Sequence, residues 1–398
     1  MTLKEKVFIA FFTTICACNL HNNNDNNEQS KAEVLWSYSY PKIHAFADAI
    51  QPVIEDGIAY IASDTSLVCR VVETDEEKWR VGLLNNTSIT SMKLLCSSNK
   101  IFFNHNNYIT AYNKQDGSII WRTEVENIYI RDLTVMDQNL THLFIGGNGG
   151  VVRLEKETGL VDLYIPISKL DVEDGSQSSR AIIIHNNDTL YVPFSYYEPS
   201  MPEIGGFVFC YNAQTGKEIW SYEVPNRYWV NGFGDSLLTG AGVKKCAIMN
   251  DVVAFRAGIN VFALNRYTGE EMWETSFQSY YDGFSGVSIA AANDIIFAGS
   301  TFGHVYGLAA GNGTVLWDAD IKYTMSSLFT THEDRLYFAN PMGGGLWVID
   351  QLTGEVIWNG QPPGNAQDDS YAYFSPVAVE NGYMINVGTK KVYCLTVP

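Results

Sequence analysis

Apolar and polar positions along this chain alternate in short runs and do not recur in the three- and four-residue steps of a helix. From residue 34 onward, runs rich in Val, Ile, Phe and Tyr are separated by clusters of Asn, Asp, Gly, Lys and Gln. This pattern predicts many short strands joined by tight turns. Five segments align: AYNKQDGSIIW (111–121), CYNAQTGKEIW (210–220), ALNRYTGEEMW (263–273), GLAAGNGTVLW (307–317) and VIDQLTGEVIW (348–358). Each closes in Gly-x-x-x-Trp, with the glycines at Gly117, Gly216, Gly269, Gly313 and Gly354. The tryptophans are Trp121, Trp220, Trp273, Trp317 and Trp358. A sixth copy, RLEKETGLVDL (153–163), keeps Gly159 and sets Leu163 in the Trp position. A degenerate copy ends at Trp79, and Trp36, in VLWSYSYP, matches only the end of the motif.

The positions 36, 79, 121, 163, 220, 273, 317 and 358 are spaced by 43, 42, 42, 57, 53, 44 and 41 residues. A period in the low forties with two insertions fits four short strands per unit, the repeat of a propeller blade. Within a unit, the Thr-Gly or Asp-Gly pair is a turn signal whose glycine supplies a positive φ. Eight second-strand segments (GIAYIAS, KIFFNHN, HLFIGGN, TLYVPFS, DVVAFRA, DIIFAGS, RLYFANP, GYMINVG) are each preceded by an innermost candidate, from IQPVIED to SPVAVEN. The last unit stops at Lys391-Val392-Tyr393-Cys394-Leu395 without a fourth strand, whereas Val34 to Tyr40 is a lone outer strand. The expected fold is therefore all-β: an eight-bladed propeller of four-stranded antiparallel blades over residues 33–398. Its last blade is closed by the N-terminal strand, which removes exposed edges.

Ahead of the repeats, Lys4 and Lys6 precede an apolar run from Val7 to Ile15, long enough for a signal peptide and too short to span a bilayer. Ile15-Cys16-Ala17-Cys18 resembles a bacterial lipobox, which implies a signal peptide over 1–17 and lipidation at Cys18. Ordinary cleavage nearby and secretion is the alternative. Residues 18–32, with six Asn between Asn19 and Lys31, read as a flexible tether. The resulting expectation is a bacterial envelope protein held at the outer membrane by a lipid anchor only.

Composition narrows the function. Of 398 residues, 46% are hydrophobic, so a large core is available. Lys plus Arg total 26 against 44 Asp plus Glu, a net charge of −18, which excludes the broad basic surface that nucleic acid or anionic lipid requires. Seven Cys form no CxxC pair, the seven His show no short ligand spacing, and there is no GxSxG elbow. His185, at a strand end, and the glycine runs at 146–150 and 343–345 read as structural.

The repeat pattern resembles the quinoprotein (PQQ-type) eight-bladed propellers. That resemblance implies that Trp36, Trp79, Trp121, Trp220, Trp273, Trp317 and Trp358, and imperfectly Leu163, pack across to the neighbouring blade. One branch of the family binds pyrroloquinoline quinone and calcium over the axis; no calcium ligands or adjacent cysteines of that branch can be matched here, so no cofactor and no metal are expected. The signal-like segment, Cys18, size and blade number resemble the other branch, BamB-like lipoproteins of outer-membrane protein assembly. This implies a non-enzymatic, protein-binding scaffold whose partner is an outer-membrane assembly component or another envelope protein. The loop that docks the partner in that branch is here PISKLDVEDGSQSSR (166–180), which departs from the family pattern. Two alternatives remain: a quinone-dependent dehydrogenase-like enzyme with an axial site, and a surface lipoprotein binding glycan or peptide.

Long insertions fall on one face, where outer-to-inner connections and second-to-third-strand hairpins meet. They carry Tyr196, Tyr197, Tyr228, Trp229, Phe233, Tyr280, Tyr281, Phe284, Tyr371, Tyr373 and Phe374. Clustered aromatic rings on loops offer rigid amphipathic surface, so this is the expected binding face, with coverage of the blade ends as the alternative.

Overall fold

In a computed structural model, the described residues are 31–39, 50–62, 66–83, 93–105, 107–130, 134–167, 178–179, 181–197, 204–225, 228–230, 236–238, 242–277, 288–300, 303–321, 328–340, 345–361, 363, 375–388 and 391–398. They form eight antiparallel blades in a ring. The first comprises Val53–Glu55, Ile58–Ala62, Ser66–Val71 and Glu77–Gly82, running from the axis outward. Six further blades lie at 95–124, 137–166, 183–223, 246–276, 289–320 and 330–360. The eighth takes Ala378–Glu380, Tyr383–Val387 and Lys391–Thr396, and its outer strand is Val34–Ser39. The expected fold and closure are thus both present. Among the described residues no helix is long and apolar enough to cross a membrane.

Burial explains why the strands alternate as they do. The two middle strands of a blade are covered on both faces by neighbouring blades, and Lys100–His105 and Val252–Ala257 are buried throughout. Outer strands are half-covered: after two exposed residues, Glu77–Gly82 and Ile119–Glu124 alternate between partly buried and exposed positions. The core is a series of clusters between adjacent blades. Phe102 and Leu95 of blade two meet Leu143 and Val152 of blade three, and Trp36 and Ile385 of blade eight meet Ala59 and Ile61 of blade one. Burial of each such side chain is worth about 1.5–3 kcal/mol.

The ring closes where sequence ends meet. Trp36 lies opposite Cys394 in the eighth blade, and the Thr396 amide donates to the Glu33 carbonyl at 2.9 Å. Blade four departs from the pattern. Its two middle strands, Thr189–Tyr197 and Ile204–Asn212, are nine residues each, and Ser178–Ser179 pairs beside them. A short hairpin, Tyr228–Val230 with Ser236–Leu238, sits in the connection that follows. These additions account for the two long spacings in the repeat.

Candidate functional site

Among the described residues, two parts of the ring carry chemistry: the seams between blades and the cavity on the axis. The seams follow from the motif. In six outer hairpins the glycine amide donates back four residues, as Gly117 does to Asn113 at 2.8 Å, and in blade one Asp75 takes that place, donating to Val71. An extra residue then bulges the outer strand just before the Trp, as between the Cys69 and Arg70 partners of blade one, and such a bulge re-aims the side chain that follows. The indole Nε1 donates across the seam to a carbonyl of the next blade: Trp36 to Val72 at 2.7 Å, Trp79 to Lys114 at 2.8 Å, Trp121 to Lys156 at 2.9 Å. Trp220 reaches Arg266 at 2.9 Å, Trp273 reaches Ala310 at 2.8 Å and Trp317 reaches Gln351 at 2.9 Å. Trp358 packs against Tyr393 and Leu395 of blade eight. The ring faces the next blade's turn glycine: a Cβ on Gly354 would stand 2.6 Å from Trp317 Cδ2. Since Gly354 also has φ +73°, both space and backbone demand glycine.

Opposite each Trp within its own blade stands a small or short residue: Cys69, Ala111, Cys210, Ala263, Gly307, Val348 and Cys394. The blade without Trp breaks this rule too. Leu163 faces Arg153, whose guanidinium fills the space and donates to Ala213 O and Gln214 O of blade four, both at 2.8 Å. Ala213 O is the carbonyl that an indole would have reached. Asp162 holds the guanidinium at 2.9 and 2.8 Å and also meets His142 at 3.1 Å. Burial works to raise the Asp162 carboxyl, but Arg153 and His142 together hold it below the usual carboxylate range. One seam is therefore polar where the other seams that carry Trp are aromatic.

On the axis, a cavity of about 310 Å³ is lined by the first residues of the inner strands, including Gln51, Lys93, Asp137, Lys245 and Thr330. These strands begin where outer-to-inner connections arrive, so the cavity lies toward the face with the long insertions. Gln51 Nε2 donates to Thr330 Oγ1 at 3.0 Å and to Val377 O at 2.9 Å, tying blade one to blades seven and eight. Asp137 accepts the amides of Ile184 and Gln138 at 2.8 and 2.9 Å, yet burial still raises its carboxyl above the usual range. Burial, reinforced by the charge of Lys93, lowers Lys245 to about 8. Calcium takes roughly six to eight oxygen ligands. The cavity instead offers two cations and one carboxylate already engaged by backbone amides, and among the described residues no group of three or more His, Cys, Asp or Glu could hold a metal. The residues present do not fit a calcium-bound quinone.

Four cysteines among the described residues do not supply a nucleophile either. Burial pushes Cys69 up to about 11 and Cys96, Cys210 and Cys394 to about 12, so all four stay protonated at neutral pH. His185 ends the inner strand of blade four against Arg266, and burial and that charge lower its affinity for a proton.

The structure places one ring of the expected binding face. Tyr196 packs on Phe207 with centroids 5.9 Å apart, partly covered by blade four. Tyr197 ends the strand Thr189–Tyr197, and Tyr228 and Trp229 belong to the short hairpin. Phe233, Tyr280, Tyr281, Phe284, Tyr371, Tyr373, Phe374 and Cys18 lie outside the described residues. Sequence reasoning did not single out Arg153, Lys93 or Lys245. For Arg153 a signal existed: it is the first letter of the one repeat copy that lacks Trp.

The sequence model of the PQQ_2 family, described as outer membrane protein assembly factor BamB, matches residues 64–236 and 257–395. The chain is also similar to tetrathionate hydrolase of Acidithiobacillus ferrooxidans, 27% identical over 206 residues, which is 46% of this chain and 39% of that protein. It thus spans less than half the length of that relative. Among solved structures it superposes on BamB from Moraxella catarrhalis with a TM-score of 0.59 at 16% identity, covering 92% of this chain and 88% of that one. Quinohemoprotein alcohol dehydrogenase from Comamonas testosteroni gives 0.65 at 10% identity, covering 92% of this chain and 76% of that one. At such identities these superpositions speak to the fold alone.

Proposed function

The chain belongs to the PQQ_2 family of BamB-type propellers, and from that premise we propose that it is a non-enzymatic, protein-binding scaffold of the bacterial envelope. It is anchored to the outer membrane through Cys18, and its partner is an outer-membrane assembly component. The observation that carries this reading is the axial cavity. Its Gln51, Thr330 and Asp137 are engaged in holding blades together, and no nucleophile with a base is assembled there among the described residues. The rigid ring then serves to present the long connections on one face. The test is capture of an outer-membrane assembly barrel protein by the immobilised full chain. Retention that is lost on alanine substitution of Trp229, Tyr281 and Tyr373, with unchanged melting, supports the reading. A barrel that passes unretained refutes it.

The match to tetrathionate hydrolase favours a second reading, a hydrolase acting on a sulfur compound of that kind. Incubation of purified protein with tetrathionate separates the two: the scaffold leaves it intact, whereas turnover establishes the enzyme.

A further inference from the structure

The axial cavity has a charge that the rest of the molecule does not. The chain carries −18 overall, yet two lysines line the cavity at its centre. Lys93 enters from the start of blade two and Lys245 from the start of blade five. Three blades apart in a ring of eight, they stand on nearly opposite walls. Lys245 is half-buried on the cavity wall, and no acidic side chain bonds it among the described residues. Asp137, the one carboxylate on the cavity wall among them, already accepts two backbone amides and offsets part of the charge of Lys93, which leaves Lys245 the less compensated of the two.

A cation so placed costs free energy unless something neutralises it. Such a site, with room for an ion of several atoms, suits an anion held between two lysines. We propose that the axial cavity is a binding site for a small divalent oxyanion, of the sulfate or phosphate type, held between the ammonium groups of Lys93 and Lys245. The cost of burying Lys245 is then offset by the charge of the anion, which makes binding and stability one linked quantity. The inference does not depend on which partner the outer loops take, and it survives if the chain proves to bind no barrel protein.

The experiment is thermal unfolding and calorimetric titration of the full chain at pH 7 with sodium sulfate or sodium phosphate, against sodium chloride at matched ionic strength. Saturable binding with a rising melting midpoint is expected for the divalent anions and not for chloride. Lys245→Met and Lys93→Met are each expected to weaken binding at least tenfold. Lys245→Met should also melt higher than the parent protein without added anion, which shows that the variant is folded. Lys78→Met, which removes an exposed lysine paired with Glu76, is the control and should bind as the parent does. Preference of phosphate over sulfate or the reverse identifies the anion. Equal effects of chloride and the divalent anions, or saturable binding unchanged in both axial variants, overturns the proposal.

Discussion

Arg153 and Leu163 act as one unit, and a double substitution tests this. Arg153→Ala removes two donations to carbonyls of blade four and the two-pronged pair with Asp162, and leaves that carboxylate facing only His142. Loss of charge-assisted bonds in a side chain only 13% exposed should cost about 2–4 kcal/mol. Leu163→Trp alone drives an indole into the space Arg153 occupies, an overpacking worth about 1–3 kcal/mol. Together the two changes rebuild the ordinary seam: a small residue opposite the ring, an indole donor within reach of Ala213 O, and a turn glycine already in place. A Cβ on Gly216 would stand 3.1 Å from Ile165 and 3.3 Å from Leu163, so there is slack to receive the larger ring. The double variant should therefore lie within about 1–2 kcal/mol of the parent protein, a coupling of several kcal/mol. Urea unfolding followed by tryptophan fluorescence and circular dichroism measures all four proteins. A double variant whose loss equals the sum of the single losses would refute the reasoning.

Three further outcomes follow from the same geometry. Gly354→Ala and Gly216→Ala share the cost of a positive φ, +73° and +69°, but only the first collides with an indole, so it should destabilise by about 1–3 kcal/mol more; equal denaturant midpoints would contradict the seam as described. Lys245 is lowered from its usual 10.5 to about 8, so between those values the unfolded chain holds the extra proton and the contribution of this one group to stability should rise with pH, against the fall that the raised buried thiols impose. In Lys245→Met, where Lys93, Asp137 and the Cys246 thiol remain, that rise should vanish and stability at pH 7 should increase by roughly 1–3 kcal/mol; a parallel pH profile in the two proteins would argue against the buried charge. Trp36→Ala empties the closing seam and its bond to Val72, and should cost about 3–5 kcal/mol in chemical unfolding; a loss below 1 kcal/mol would mean that the N-terminal strand does not seal the ring.

Blade number, strand order and ring closure could all be read from the sequence, because each depends on a position that recurs. A Trp every forty-odd residues, a glycine four before it and a missing last strand are signals multiplied by repetition. The Arg153–Leu163 exchange was printed in the same alignment, yet its meaning needs three dimensions: residues ten apart face each other only because the outer hairpin folds back with a bulge. The axial lysines were harder still. Lys93 and Lys245 each begin an unremarkable inner strand, and nothing in either local sequence shows that eight such starts converge on one axis. Function was least legible, since loops at the blade ends follow no period, and most of the rings expected to bind lie in them.

This division has a physical cause. A blade's middle strands are constrained on both faces, so their residues are dictated by neighbours that are themselves blades, and the same solution repeats. At the blade ends and on the axis that constraint lapses: a connection meets solvent, and an inner strand meets a cavity that its own blade does not fill. Residues there are free to differ from blade to blade, as Gln51, Lys93, Val135, Ala181 and Lys245 do at bridged starts of successive inner strands. Irregularity at an otherwise regular position is then the most informative feature such a molecule offers. By that criterion the polar seam of Arg153, beside the longest repeat spacing, and the cationic axis are the two places where this ring departs from the needs of folding alone. An exchange that leaves stability intact while changing what the protein binds is expected at the axis and the face. At the seams, where every partner is another blade, substitution should register first as stability.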